Sequence, residues 1–184
     1  MDDGQLEQKH DWLVDQLKLG SRAAAAELVD IYYEQIYLFM RRLGHTRQVS
    51  EDLTQESFLQ AWKYINQIRH GRALRSWMYR IAANVSKLYW RKHYIRKTVN
   101  IEDVELPDCD DGQNCTIERR EQLDRLGKAV VRLPIKLRQS IVLHYMQHLT
   151  ISEAAQAADI AEGTFKSRLS RALTALRKEI AVKA

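Results

Sequence analysis

The chain has 184 residues and a formal net charge of +5; 45% of its residues are hydrophobic, with only 7 Gly and 2 Pro. This length accommodates one ordinary domain or two small ones, and this composition favours helices. No apolar run is long enough to span a membrane, and the polar, acidic N-terminus is unlike a signal peptide. We therefore expect a cytoplasmic protein without membrane insertion.

Charge is distributed in alternating blocks. Residues 57–101 contain ten Lys and Arg and no acid, and residues 127–184 contain ten bases against four acids. Residues 1–56 contain eleven acids and six bases, and residues 102–126 contain nine acids and three bases. Two separate basic blocks indicate two contacts with a polyanion.

Apolar periodicity predicts helices through the N-terminal half. After a weak first helix, Ser21 is predicted to cap a long helix that ends at Gly44, and Ser50 to cap the next. The apolar stripe of that next helix consists of Leu53, Phe58, Ala61, Trp62 and Ile65.

Three polar side chains, Asp52, Gln55 and Glu56, share the helical face opposite this stripe. They are consistent with a binding face. Taken alone, however, they fit better an acidic first turn that complements the helix dipole.

A long basic helix is predicted over residues 74–96, with Trp77 in the core. Its polar row consists of Arg80, Asn84, Lys87 and Arg91, at steps of four, three and four. An Asn among cations can contact a base edge while the cations hold phosphates.

Aromatic residues interleave with these cations, as in proteins that stack unpaired bases. They are Tyr79, Tyr89, Trp90 and Tyr94. The alternative is that the aromatic residues are core and the cations form a solvated face. The preceding loop, residues 66–73, is rich in donors and could line a pocket for one extruded base.

Residues 98–117 lack any period, contain Pro107 and Gly112, and are predicted to form a flexible acidic linker. Cys109 and Cys115 lie in this linker. Since the sequence offers no paired metal-ligand spacing, we expect two reduced thiols and no metal site.

Helices resume near residue 118, break at Pro134, and end in a helix-turn-helix pattern. Thr150 and Glu153 have the spacing of a capping box for its first helix. The second helix places Phe165, Leu169, Leu173 and Leu176 on its inner side. Its outer side carries Lys166, Ser167, Arg168 and Arg171, as a helix in a DNA major groove requires.

Four motifs occur in a fixed order: residues 52–58 (DLTQESF), residues 77–84 (WMYRIAAN), Leu133-Pro134, and residues 163–169 (GTFKSRL). Together they resemble the extracytoplasmic-function (ECF) sigma factors of bacterial RNA polymerase, a sigma-70 subfamily. The resemblance covers roughly residues 10–180. Three positions depart from the family pattern, namely Asp159, Ala161 and Phe165.

The resemblance implies an all-α fold of two small helical domains joined by a flexible acidic linker. Residues 1–97 would form a region 2-like domain that binds core polymerase and melts the −10 element. Residues 98–117 would be the linker, and residues 118–184 a region 4-like helix-turn-helix domain that binds the −35 element.

The resemblance also implies a function and partners. The chain would direct core RNA polymerase, through its β and β′ subunits, to promoter DNA in a stress, envelope or metal response. An anti-sigma factor would regulate it. No catalysis and no cofactor are expected.

Site residues are carried over from the family by matching motifs. Asp52, Gln55 and Glu56 would contact the β′ coiled coil. The loop around Ile68, with Asn84, would hold an unpaired base of the −10 element, beside Arg80, Lys87 and Arg91. The −35 contacts would come from Thr164, Lys166, Ser167, Arg168 and Arg171.

Two other classes of protein fit the sequence less well. A stand-alone helix-turn-helix regulator would need a ligand pocket or a dimerisation seam, and the sequence shows neither. An enzyme acting on nucleic acid would need clustered carboxylates or metal ligands in the basic block, and residues 57–101 contain no Asp or Glu.

Overall fold

A computed structural model describes the backbone of residues 3–94 and 117–181, and side chains within residues 8–93 and 125–180. Throughout these residues the regular structure is helical and contains no strand, which confirms the all-α class. The α-helices are α1 (Asp3–Lys18), α2 (Arg22–Arg42), α3 (Arg47–Tyr64), α4 (Leu74–Tyr94), α5 (Ile117–Arg132), α6 (Ile135–Ile141), α7 (Ile151–Ala157) and α8 (Glu162–Ala181).

The boundaries of α2 and α3 follow from their capping residues. Ser21 accepts a hydrogen bond from the Ala24 backbone N–H, as predicted, and Gly44 follows α2 with a φ of +86°. The prediction that Ser50 caps α3 is wrong, because Thr46 caps the helix one turn earlier. Ser50 is buried inside α3, and its hydroxyl donates to the His45 carbonyl. The acidic residues of α3 therefore lie beyond its first turn.

The loop between α3 and α4 consists of two 3₁₀ turns, Ile65–Gln67 and Gly71–Ala73. Gly71 packs directly on the backbone of α1, where its N–H donates to the Asp11 carboxylate. A Cβ at Gly71 would lie 2.2 Å from the Asp11 nitrogen, so only glycine permits this approach. Helix α1 thus holds the loop in place.

The N-terminal core is formed by the inner faces of α1 to α4. Leu13, Ile36 and Phe39 are fully buried, and the Phe39 ring meets Tyr79 edge-on with centroids 5.4 Å apart. Trp77 is also buried, as predicted. This core leaves the solvent faces of α3 and α4 available for contacts with other molecules.

The C-terminal domain is a helix-turn-helix supported by α5 and α6. Beyond α6 the chain continues as a π-helical turn, Val142–Met146. Thr150 and Glu153 form the predicted capping box at the start of α7. Asp159 adopts the left-handed conformation, with a φ of +54°, in the turn before α8. Asp takes this conformation more readily than most residues do.

Helix α4 of the first domain packs against α7 of the second. Polar contacts accompany this packing, including a 2.7 Å hydrogen bond from the Tyr79 hydroxyl to Gln147 Oε1. The predicted linker, residues 98–117, and its cysteines, Cys109 and Cys115, fall outside the described residues apart from Ile117, the first residue of α5.

Candidate polymerase and nucleic-acid interfaces

The three polar residues of α3 lie together on its solvent face. Asp52, Gln55 and Glu56 are all exposed, because Leu53 and Ser57 turn the opposite face into the core. The Glu56 carboxylate accepts a hydrogen bond from the Gln60 amide. The geometry therefore supplies an acidic and amide-bearing surface that a basic partner helix can reach.

An apolar groove of about 420 Å³ lies beside this surface, between α2 and α3. Gln55 lines it together with Leu59 and Trp62, whose exposed fractions are 66% and 44%. On its other wall the Tyr33 ring stacks on Phe58 at 6.3 Å between centroids. Exposed apolar side chains next to polar ones are typical of a protein-binding site.

Sequence reasoning missed this groove because it placed Trp62 and Phe58 in the core stripe. Trp62 is exposed and Phe58 only partly buried, so that interpretation is wrong for Trp62. One signal was available. Leu59 lies outside the stripe, and beside Trp62 it widens the apolar surface beyond what one core-facing side requires.

The polar row of α4 is brought to the surface as predicted. Asn84, Lys87 and Arg91 are exposed, and Arg80 is half-buried. Ile68 lies under the adjacent loop with 3% of its surface exposed, so its side chain supports the loop from within. The sequence block that carries the row, residues 57–101, contains no Asp or Glu, and this favours contact with phosphates.

A cleft of about 610 Å³ adjoins this row. From the first domain it is lined by the loop 67–69 and by Trp77 and Arg80 of α4. This part of the lining combines an indole, two guanidiniums and an amide, while Gln156 and the Asp159 carboxylate line the other side. This is a suitable chemical lining for an unstacked base.

The aromatic residues interleaved with these cations do not form one stacking surface. Tyr79 is fully buried against Phe39, and burial raises the pKa of its hydroxyl to about 12. The prediction that Tyr79 stacks on bases is therefore wrong. Tyr89 is half-buried and stacks on His93 at 4.0 Å between centroids.

Trp90 packs against buried polar side chains near the C-terminal end of α4. Its ring stacks on His45 at 4.9 Å between centroids, and the Arg138 guanidinium stands 5.8 Å from the Trp90 ring centroid. Burial, with the nearby positive charges of Arg138 and His93, lowers the pKa of His45 to about 3. The neutral His45 ring shares a 2.7 Å hydrogen bond with the Ser86 hydroxyl. Trp90 thus anchors α4 instead of facing DNA.

The outer face of α8 is as predicted for a recognition helix. Phe165 is fully buried beneath it, so the core accommodates this departure from the family pattern. Thr164, Lys166, Ser167 and Arg171 are exposed and Arg168 is half-exposed. The Ser167 hydroxyl donates to the Gly163 carbonyl at 2.9 Å, which leaves its oxygen able to accept.

Two negative findings concern the described residues alone. Among them, no group of three or more His, Cys, Asp or Glu side chains could hold a metal ion. In the same part of the chain, no helix is both long and apolar enough to cross a membrane.

Comparisons with known proteins agree with this arrangement. Residues 28–94 match Sigma-70 region 2, and residues 123–176 match Sigma-70, region 4. The chain is 31% identical to the ECF RNA polymerase sigma factor SigW of Bacillus subtilis (strain 168), over 91% of this chain and 94% of that protein.

Two solved structures share the fold. The structure of CnrH in complex with the cytosolic domain of CnrY has a TM-score of 0.71 at 21% identity, and covers 95% of this chain and 99% of that one. The sigma factor RpoE from Bartonella quintana, solved with the anti-sigma factor NepR, has a TM-score of 0.66 at 23% identity, over 86% of this chain and 98% of that one.

The chain therefore belongs to the ECF sigma factors. It is a promoter-directing subunit that binds core RNA polymerase and promoter DNA. Proteins of this family are DNA-binding initiation factors and are not known as enzymes. A stand-alone regulator is not favoured.

Proposed function

We propose that the two basic helices divide promoter recognition between them and that α3 docks the polymerase. The observation that carries this proposal is the exposed row Asn84, Lys87 and Arg91, which lies beside the cleft at Trp77. The sequence block that carries the row, residues 57–101, contains no acid. A row of this kind suits a melted strand, since the amide can pair with one base while the cations hold flanking phosphates. Domain boundaries at residues 1–97, 98–117 and 118–184 complete the proposal.

In the proposed complex, Asp52, Gln55 and Glu56 contact the β′ coiled coil of the polymerase. The apolar groove extends this contact, because Leu59 and Trp62 can bury the apolar side of a partner helix next to the carboxylates. The polymerase site is thus an apolar centre with a polar rim.

In the same complex the −35 element is bound as duplex by α8. Its exposed cations, Lys166 and Arg171, are placed to hold phosphates, while Arg168 and the hydroxyls of Thr164 and Ser167 can reach base edges. Cytoplasmic localisation follows from these partners, and the function belongs to a stress, envelope or metal response.

We also propose an anti-sigma factor as a regulating partner. One similar structure is a complex of this kind, formed by the sigma factor RpoE and the anti-sigma factor NepR. The product of the neighbouring open reading frame is the first candidate to co-express. Capture of this chain by that product, with loss of polymerase binding, is the expected result.

The experiment that tests polymerase docking is co-purification with core RNA polymerase. The double substitution Asp52→Lys and Glu56→Lys reverses two exposed charges and should reduce binding at least about tenfold. A matched control, Asp30→Lys with Glu34→Lys, places the same charge change at the same spacing on the solvent face of α2 and should bind normally. Equal binding by both double variants would contradict the docking site.

A further inference from the structure

One apolar side chain interrupts the polar surface of α4. Leu88 is 52% exposed, and among the side chains of α4 that the structure describes it is the one large apolar group with such exposure. The preceding apolar residues of this side of the helix, Trp77, Ile81 and Val85, are at most 9% exposed, so the core ends before Leu88. Single exposed leucines are common on protein surfaces, and the significance of this one depends on its neighbours.

The neighbours of Leu88 belong to the row that we assign to the melted strand. Asn84 precedes Leu88 by four residues, so the two side chains are adjacent on one helical face. Lys87 comes directly before Leu88 and Arg91 three residues after it, and both cations are exposed. A nucleic acid that this row holds therefore covers Leu88 as well.

Helix geometry places Leu88 close to the base that Asn84 would hold. At about 1.5 Å of rise per residue, Leu88 lies roughly 6 Å beyond Asn84 along the axis of α4. Successive bases of one strand are about 3.4 Å apart, so Leu88 lies opposite a base one or two steps from that unpaired base.

The two sides of Asn84 suit different forms of DNA. Toward the start of α4, the cleft at Trp77 suits an unstacked base, so the DNA on that side is unpaired. On the other side, Leu88 stands between the exposed cations Lys87 and Arg91. Paired cations suit duplex, which carries more phosphate charge per unit length than a single strand. We therefore place a base pair, and not a second unpaired base, opposite Leu88.

A leucine can recognise one kind of group on the edge of a base pair. Its side chain neither donates nor accepts hydrogen bonds, and the apolar group that base pairs present in the major groove is the C5 methyl of thymine. Cytosine presents an amino group instead, which a leucine would leave without a hydrogen-bond partner. Contact with Leu88 therefore favours thymine.

We propose that Leu88 selects thymine in the base pair next to the unpaired base at Asn84. The inference rests on the function proposed above for α4 and deepens it, because it names one base that the promoters of this chain contain. Removing one methyl group from water gives a preference of about fourfold, which corresponds to about 0.8 kcal/mol.

Forked DNA bound by the complete holoenzyme tests the proposal. Core RNA polymerase with the full chain would be mixed with duplexes that end in an unpaired non-template strand. The unpaired bases and the two base pairs before the fork would be randomised, and the retained molecules sequenced. The best retained sequence would then be remade with deoxyuridine in place of each thymine of those two pairs, which removes the methyl group and leaves every hydrogen-bonding group of the base edge.

We expect the wild-type holoenzyme to select thymine at one of the two pairs and to bind the deoxyuridine version about fourfold less tightly. With Leu88→Ala the thymine and deoxyuridine versions should bind equally, whereas Leu88→Met keeps an apolar side chain and should keep the preference. Leu19→Ala removes a leucine that is 79% exposed just after α1, and this matched control should behave as wild type. Each ratio compares two DNAs on the same protein, so a general loss of active protein cancels.

Three results would overturn the inference. They are an absence of thymine selection at both pairs, an equal effect of deoxyuridine on wild type and Leu88→Ala, and an equal loss of all sequences in Leu88→Ala. The last result would mean that Leu88 separates the strands without reading a base. A wild-type holoenzyme that retains forked DNA no better than blunt duplex would instead overturn the proposed function of α4, and the inference with it.

Discussion

Helices α4 and α8 are nearly equal in length, at 21 and 20 residues, and each buries one face while exposing cations. They differ in their surroundings. Beside α4 lie a buried loop residue, Ile68, and a cleft at Trp77, whereas α8 follows a tight turn at Asp159 and exposes hydroxyls and cations along an open surface. Under the proposed function, one amphipathic pattern serves two nucleic-acid structures, and the neighbouring elements decide which of the two each helix binds.

The largest expected effect is a loss of stability in the domain that contains α4. Gly71→Ala places a methyl group 2.2 Å from the α1 backbone, so α1 and the loop must move apart. We expect a loss of about 3 kcal/mol in the free energy of unfolding, with collapse of open-complex formation. Urea denaturation followed by tryptophan fluorescence measures this, because all four Trp residues precede residue 91. Gly163→Ala, at a glycine with open space around it, is the control.

Removing one amide should sharpen the comparison. Asn84→Ala should leave closed-complex binding almost unchanged and reduce open-complex formation about 100-fold. This loss lies near the upper end of the roughly 1–3 kcal/mol that a bidentate base contact contributes. A fluorescent base analogue that brightens on unstacking reports the step, and a pre-melted promoter should restore only part of the loss. Gln48→Ala, an exposed amide on α3, is the control. Normal opening by Asn84→Ala would return Asn84 to the status of a surface residue.

Acid should lower the free energy of unfolding of the domain that contains α4, through protonation of His45. Its folded pKa of about 3 lies below the usual value of 6.5, so the unfolded chain takes up a proton first as the pH falls. Stability present above pH 6.5 is therefore lost toward pH 3, by about 2 kcal/mol between pH 6.5 and 5. Denaturation at a series of pH values measures the slope, and His45→Gln should flatten it. A slope identical in both proteins would show that other groups cause it.

The smallest effects concern α8. Arg168→Ala should lower affinity for −35 duplex about tenfold and relax specificity at one base pair, within the roughly 1–3 kcal/mol of a base contact. Lys166→Ala should weaken binding to all sequences alike. It should also reduce, by about 1, the magnitude of the slope of log binding constant against log salt concentration. Titrations of duplexes with single base changes, at several salt concentrations, separate the two. A uniform loss for Arg168→Ala would identify a phosphate contact.

Local sequence was sufficient for much of the fold and part of the site. The capping box at Thr150 and Glu153 formed as predicted, and Ser21 caps α2. The exposed polar row of α4 also followed from spacing alone, because side chains three and four residues apart share a helical face. These features depend on contacts within one helix or one turn, so the neighbouring residues contain the information.

Only the tertiary structure decided which apolar and aromatic residues are buried. Tyr79 is in the core and Trp62 is at the surface, the reverse of what the helical periodicity of α4 and α3 predicted for them. Periodicity identifies a helical face but not the helices that pack against it. Arg138 and Gln147 join the two domains through partners 95 and 68 residues away in the chain, a pairing that no local pattern encodes. The sequence determined the helices and their polar rows, and the packing between distant helices decided which surfaces remain open.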